Sequence, residues 1–576
     1  MQLAKTVLIS AFIGLLFAST KLYAQLYVAP TGNDSNAGTS ISNAFATIQH
    51  AATVATPGTT VYISAGTYHE RIYNIISGLP GQEITFKNYQ QDEVFIDPSG
   101  TSGFSIWAIY GPSYINLIGL HFNYLDTTAQ SYQAGVVIGA ASNHISVSNC
   151  TFTGMRNRNS TGILIYGTDT TKGVHDILLS TNEIGDTTFH MNSGIAANGN
   201  AHHLTIEKNK IHHCRYQGIV ITGADSVCAK PQLDYVRNCT ISENTINNIY
   251  NKISGTYQNG ILIGACRNNL IVRNTIHHCD MGISLTAYRR GGICNANKVN
   301  NNQIYGCFQQ GLNMGVYGYP ANGRVYNCEV ANNTFYQNNS ESNNTELTYF
   351  PFDSCKIVNN IFYANTNNTM LYAYFYDSIF TQNQIDYNLY CSPINNPGSL
   401  TFYWANASCS SLGYYKMISN QDLHSIYAEP HFIDANHTSP DFRLYDNSPA
   451  INAALPAWNN SGSIDLEGQS RVFGGQIDIG CDENHNDHPV PQFASLQLLG
   501  LSQVQAFPNP ATATITFQAA LQSISLLNSS GVNCAATFQT QSNGATVIDV
   551  HALAAGEYII SAFLNGQHLF YRFVKI

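Results

Sequence analysis

The chain has 576 residues, a formal net charge of −10 and only 10% charged residues, so it is long enough for a large core and more than one domain. With so few Lys and Arg there is no basic stripe to neutralise phosphates, which excludes a nucleic-acid partner. The 14 Cys include no C-x-x-C pair, which argues against thiolate zinc sites.

In chain order, residues 1–24 read as a signal peptide. Lys5 precedes the apolar run Val7–Phe17, and Leu22-Tyr23-Ala24 forms a cleavage site before Gln25. The run is too short for a spanning helix, and no transmembrane span is expected. Residues 25–60 read as an N-terminal cap. Phe45–Val54 is predicted as an amphipathic helix bounded by Pro57-Gly58, with Val61–Ile63 as the first strand of a repeating domain.

From 61 to 390 the sequence repeats. After two less regular units, Gly opens a short alternating strand at Gly135, Gly162, Gly194, Gly218, Gly260, Gly282 and Gly311. An Asn-x-apolar step recurs in phase at Asn182, Asn209, Asn244, Asn274, Asn302, Asn333, Asn360 and Asn388, with Cys150 in the same slot earlier. The shortest spacing, Gly260 to Gly282, is 22 residues. A period in the twenties with period-two alternation and no helical pattern predicts three short strands per coil of a parallel β-helix. Stacked Asn side chains suit its sharp turns, bonding to one another and to backbone. Cys214, Cys279 and Cys307 form a similar stack, expected as buried thiols. Cys228, Cys266 and Cys294 share another turn, where either thiols or a disulfide is open.

The G-I-x-I and N-x-I steps resemble the right-handed parallel β-helix repeat of pectate lyases and related carbohydrate-active proteins. The block from Leu26 to Glu70 resembles the N-terminal segment of β-helix proteins similar to polysaccharide lyase family 9. Residues 391–483 carry D-Y-N-L-Y just ahead of them, then E-P-H-F-I-D, S-P-A-I-N-A and D-I-G-C-D-E. They resemble the choice-of-anchor type Q region that closes many exported bacterial β-helices. The Asp residues there raise Ca²⁺ as a possible cofactor beside a plain role in turns. A polar linker, 484–495, leads to 496–576, where short alternating strands predict a small β-sandwich. Pro508-Asn509-Pro510, the Leu553, Gly556, Tyr558 step and Arg572–Ile576 resemble the type A sorting domain of the type IX secretion system. That resemblance implies passage through the secretion machinery, processing of both ends, and a secreted or surface-attached product, expected as a monomer.

The fold class expected is therefore all-β: a right-handed parallel β-helix with a short N-terminal capping helix and a C-terminal sandwich. In β-helices of this kind the substrate lies along one strand face and its flanking turns. The outward positions of the Gly-opened strand, Leu164, Ala196, Val220, Leu262, Ser284 and Asn313, are bland. Charged groups must therefore come from the turns. Asp225, Lys230, Lys252, Asp280, Arg289 and Arg290 are the candidates for β-elimination of a uronate. Arg289 and Arg290 would clamp the carboxylate, Lys230 or Lys252 would act as base, and Asp225 or Asp280 would hold Ca²⁺ or act as acid. Tyr288, Tyr317, Tyr319, Tyr372, Tyr374 and Tyr376 are candidate sugar-stacking residues, unless the closing region packs over the last three. The Asp-Asp and Glu-x-Glu pairs of lyase families that this fold resembles are absent. Two functions stay open: a lyase of acidic polysaccharide, or a non-catalytic glycan-binding or adhesive surface protein. His212-His213 and His277-His278 recur in phase two coils apart and read as surface turn residues.

Overall fold

The structure is a computed structural model. It describes residues 24–489 apart from 124–132, 156–159, 189–190, 251–257, 318–320, 341–344, 366–368, 375–381, 394–399, 436–438, 457 and 459–463. It also describes 506–575 apart from 508–510, 512, 518, 529–533, 555 and 565–566. Two compact units divide at His488 and Pro489.

The first unit is a parallel β-helix. Each coil supplies one strand to each of three sheets. Among the described residues, sheet 1 collects the Gly-opened strands and has 13, from Ile72–Asn74 to Ala407–Cys409, the last of them antiparallel. Among the same residues sheet 2 has 14, from Gln25–Val28 onward, and sheet 3 has 13, ending at Ile426–Tyr427. We call the bends after sheets 1, 2 and 3 turn 1, turn 2 and turn 3.

The repeated residues explain one another. Phe122, Phe152, Ile184, Ile211, Ile246, Ile276, Ile304, Phe335, Phe362 and Tyr390 are in register along sheet 3 and face the core. The repeat Gly is the space that each Ile occupies. A Cβ at Gly162 would lie 2.6 Å from Ile184 Cγ2 and 2.7 Å from the Gly194 carbonyl oxygen. At turn 2 the Asn ladder runs unbroken: Asn182 donates to Asn209, and so on to Asn388, at 2.9–3.1 Å per step. Each Asn amide also donates to a backbone carbonyl, as Asn274 does to Ile241, so these buried side chains satisfy the corner that bends the chain.

A second ladder at turn 1 is shorter and mixed. Asn269 receives the Cys239 backbone N–H and donates to Asn297, which reaches Cys294 Sγ at 3.2 Å. Every Cys carries a free thiol, including Cys228, Cys266 and Cys294. Burial pushes the Cys150 and Cys239 thiols up to about 12, far from thiolate reactivity.

Both ends differ from the sequence expectation. The first parallel strand is Gln25–Val28, paired in register with Thr60–Ile63. Helix α1 (Ile48–Val54) begins later than Phe45, because the Asp34 carboxylate holds the Ala46 and Thr47 N–H groups in extended chain. Thr47 and Glu70 then cap the first turn. The parallel sheets continue past 390 through Thr401–Trp404 and Ile426–Tyr427. Beyond them, helix α2 (Leu412–Ser419) closes the other end of the core, with Tyr415 fully buried and stacked on Phe402 at 4.6 Å.

The rest of the closing region packs on sheet 3. Phe432, Phe442, Leu444, Ile477 and Ile479 share one cluster with Tyr336, Tyr363 and Leu389. Two of its acidic residues hold backbone in place: Asp465 accepts N–H groups from Glu467, Gln469 and Glu483, and Asp478 those of Asn452 and Asn484.

The second unit holds a four-stranded and a three-stranded sheet among its described residues. Ile515, Phe517 and Ile548 of the first share a core with Leu526, Ile560 and Phe573 of the second.

Candidate functional site

The outer face of sheet 1 changes character along the axis. Val137, Leu164, Ala196, Val220, Leu262, Ser284, Asn313, Thr348, Tyr372 and Tyr403 form one in-register row. Its first part is covered: Val137, Leu164 and Ala196 join Ala134 in a satellite apolar cluster. Leu262 and Ser284 are buried too, the Ser284 hydroxyl donating to Asn259 Oδ1. This row is therefore no open groove over those coils. Farther on it turns aromatic.

The turn 1 rim carries the exposed chemistry. Arg289 Nε donates to Asp225 Oδ1 at 2.7 Å, and Thr222 Oγ1 donates to the other oxygen at 2.7 Å. The pair bridges the coil between them, and the Tyr288 ring packs beside Gly264 of that coil. Tyr288 is 52% exposed, and Arg290, next in the chain to Arg289, and Lys230, in the same turn 1 segment as Asp225, are exposed too. On the following coils Tyr317, 76% exposed, meets Phe350 edge-on at 5.9 Å. Phe350 stacks on Tyr374 at 5.0 Å, Tyr374 contacts Tyr372 at 4.2 Å, and Tyr372 stacks on Tyr403 at 5.1 Å.

Of the residues singled out from the sequence, Asp225, Arg289, Arg290, Lys230 and Tyr288 gather on this rim, and Tyr317, Tyr372 and Tyr374 continue it. Asp280 does not join them. It precedes Met281 at the turn 3 end of Met281–Thr286, six residues and about 20 Å of extended chain away from the rim. Lys252, Tyr319 and Tyr376 lie outside the described residues. The closing region contributes to the Tyr row through its Thr401–Trp404 strand, whose Tyr403 stacks on Tyr372, while its Phe432, Phe442 and Leu444 pack on sheet 3.

Phe350 and Tyr403 were not singled out, yet the sequence holds a signal for the first. An aromatic residue follows each of four successive sheet 1 strands within three residues: Tyr288, Tyr317, Phe350 and Tyr374. From the Gln217–Thr222 strand to Thr369–Ala373 is five coil steps, about 24 Å at the usual strand spacing. The His pairs lie apart, at the end of sheet 3 strands and the start of turn 3, His212 beside Glu183 at 3.2 Å and His277 stacked on Tyr305 at 4.8 Å.

The fold and the two units define the class: an exported parallel β-helix protein with a C-terminal secretion-sorting domain, secreted or held at the cell surface. Residues 505–575 match the secretion system C-terminal sorting domain, and residues 88–308 match the family described as periplasmic copper-binding protein (NosD). The uncharacterized protein YwoF of Bacillus subtilis (strain 168) is 28% identical over 464 residues, 77% of this chain and 97% of that one. Among solved structures, the GH136 lacto-N-biosidase of Eubacterium ramulus is similar at 12% identity and TM-score 0.46, covering 64% of this chain and 67% of that one. Pectate lyase Pel9A is similar at 15% identity and TM-score 0.35, covering 80% of this chain and 96% of that one. No helix among the described residues is long and apolar enough to cross a membrane.

Proposed function

We propose that the turn 1 rim binds a polysaccharide laid along the solenoid axis, making this an exported glycan-binding protein. The observation that carries the reading is the contiguous aromatic run Tyr317, Phe350, Tyr374, Tyr372 and Tyr403, exposed at Tyr317 and Tyr374. Flat rings present an apolar face with a polar edge, which suits a sugar ring and its hydroxyls. The run is extended in one direction, as a polymer is. Arg290, Lys230 and the Arg289–Asp225 pair at one end favour an acidic polymer, because a guanidinium fork matches a carboxylate.

The test is affinity electrophoresis of the chain, less its signal peptide, in gels containing neutral or uronate polysaccharides. Tyr317→Ala with Tyr374→Ala should weaken binding about tenfold or more, roughly 1.4 kcal/mol. Unchanged retardation in every gel would sink the reading.

A second reading, lyase action on the same polymer, has the cationic end of the rim in its favour, with Ca²⁺ as a helper of the substrate carboxylate. It is read separately, by absorbance of unsaturated products with and without Ca²⁺. No rise on any uronate polymer would count against it while leaving binding intact. Binding is the better supported of the two. The Asp225 carboxylate is engaged by Arg289 and Thr222, and Asp280 stands at the far end of its strand.

A further inference from the structure

A cluster of metal-ligand side chains lies elsewhere, at the start of the sheet 2 strands. His175 and His202 are in register, preceded by Asn143 and followed by Arg237. The next residue in each coil, His144, Asp176, His203 and Asn238, has φ of 53–55°. The bend asks only for a residue that tolerates this left-handed region, and Asn suffices at Asn238 and Asn268. Nothing in the turn geometry asks for imidazole at His144.

Ligand atoms of His144, His175 and Asp176 all lie within 4.8 Å of one another. His175 Nδ1 is 2.8 Å and His144 Nε2 is 3.8 Å from the same Asp176 oxygen. Tetrahedral metal bonds of about 2.0–2.1 Å place ligand atoms about 3.3 Å apart, inside that spread. The rings are also held. His144 Nδ1 is 2.8 Å from Asn143 Oδ1, which fixes the proton there and leaves the Nε2 lone pair toward Asp176. Tyr114 stacks on the His144 ring at 4.4 Å. His175 stacks on His202 at 5.1 Å, and His202 Nε2 is tied to the Lys172 carbonyl at 2.9 Å.

We infer that His144, His175 and Asp176 form a surface site for a divalent transition-metal ion, with at least one coordination position open to solvent. Two imidazoles and one carboxylate select zinc or copper over calcium or magnesium, which prefer all-oxygen shells.

Titration calorimetry of the chain without its signal peptide tests this with Zn²⁺, Cu²⁺ and Ca²⁺. One equivalent of Zn²⁺ or Cu²⁺ is expected to bind, and no Ca²⁺ at the same site. His144→Asn, His175→Ala and Asp176→Asn together should weaken that equivalent at least tenfold. Asn keeps the left-handed backbone at both bends, and an unchanged circular dichroism spectrum and melting temperature would show the fold intact. A chain with His212, His213, His277 and His278 all changed to Asn should still bind. Absence of Zn²⁺ or Cu²⁺ binding, undiminished binding by the triple variant, or loss only in the fourfold variant would each overturn the assignment.

Discussion

At Gly162 a single methyl group is too much. Its Cβ would meet Ile184 Cγ2 at 2.6 Å and a backbone carbonyl at 2.7 Å, so this Gly serves space and not a special φ. Gly162→Ala should destabilise by about 1–3 kcal/mol, the usual cost of overpacking. Ile184→Ala alone should cost about 2–5 kcal/mol. The double variant should cost less than the sum, because each change relieves part of the other; strict additivity of denaturant midpoints would refute the pairing. Glu346 makes a different residue-scale prediction. It is fully buried against Asn338, and desolvation raises its carboxyl from 4.5 to about 8. The fold thus holds this proton more tightly than the unfolded chain does. The resulting stability is complete below the unfolded value of 4.5 and is lost as pH rises through about 8. Asp482 and Glu483, each raised to about 7, act in the same direction. Melting temperature should fall from about pH 5 to about pH 9, and Glu346→Gln should flatten part of that slope. An unaltered slope in the variant would count against it.

At the scale of elements, the coil strands were legible because their rules are local. Period-two alternation, the Gly spacing and the Asn-x-Ile step each appear in one coil and repeat in the next. Helix α2 was not legible. Leu412–Ser419 has two buried residues, Leu412 and Tyr415, too few for a period to stand out. Its role comes from contacts far along the chain, with Tyr415 stacked on Phe402. Tyr415→Ala should open this end of the core and cost about 3–5 kcal/mol, as large aromatic truncations do. The expected accompaniment is increased binding of a hydrophobic dye; a variant with wild-type melting and no dye signal would show that α2 is dispensable as a plug. The aromatic rim was partly legible. Tyr372 and Tyr374 stand out by alternation and Phe350 by its place just after a sheet 1 strand, while Tyr403 joins them only through coil stacking.

At the scale of the whole molecule, the two units have separate cores, one along the solenoid and one shared by the two C-terminal sheets. A chain ending at His488 should keep the unfolding transition of the β-helix while failing to reach the cell surface or medium. Fractionation with denaturant melting of the purified fragment reads both outcomes. A fragment that is exported normally would refute the assigned role of residues 505–575.

The amino-acid order by itself determined the solenoid, because a stacked coil repeats the same short-range requirements: room at Gly162, an amide at Asn274, an apolar side chain at Ile276. It also marked the sorting domain, whose strands and turns are local. Only the tertiary structure decided which side chains meet across coils. Asp225 and Arg289 are 64 positions apart yet paired, while Asp280, nine positions before Arg289, is at the other end of its strand. His144 and His175 converge on Asp176 for the same reason. Insertions vary the length of each coil, so sequence distance does not report axial distance, and functional proximity is set by register.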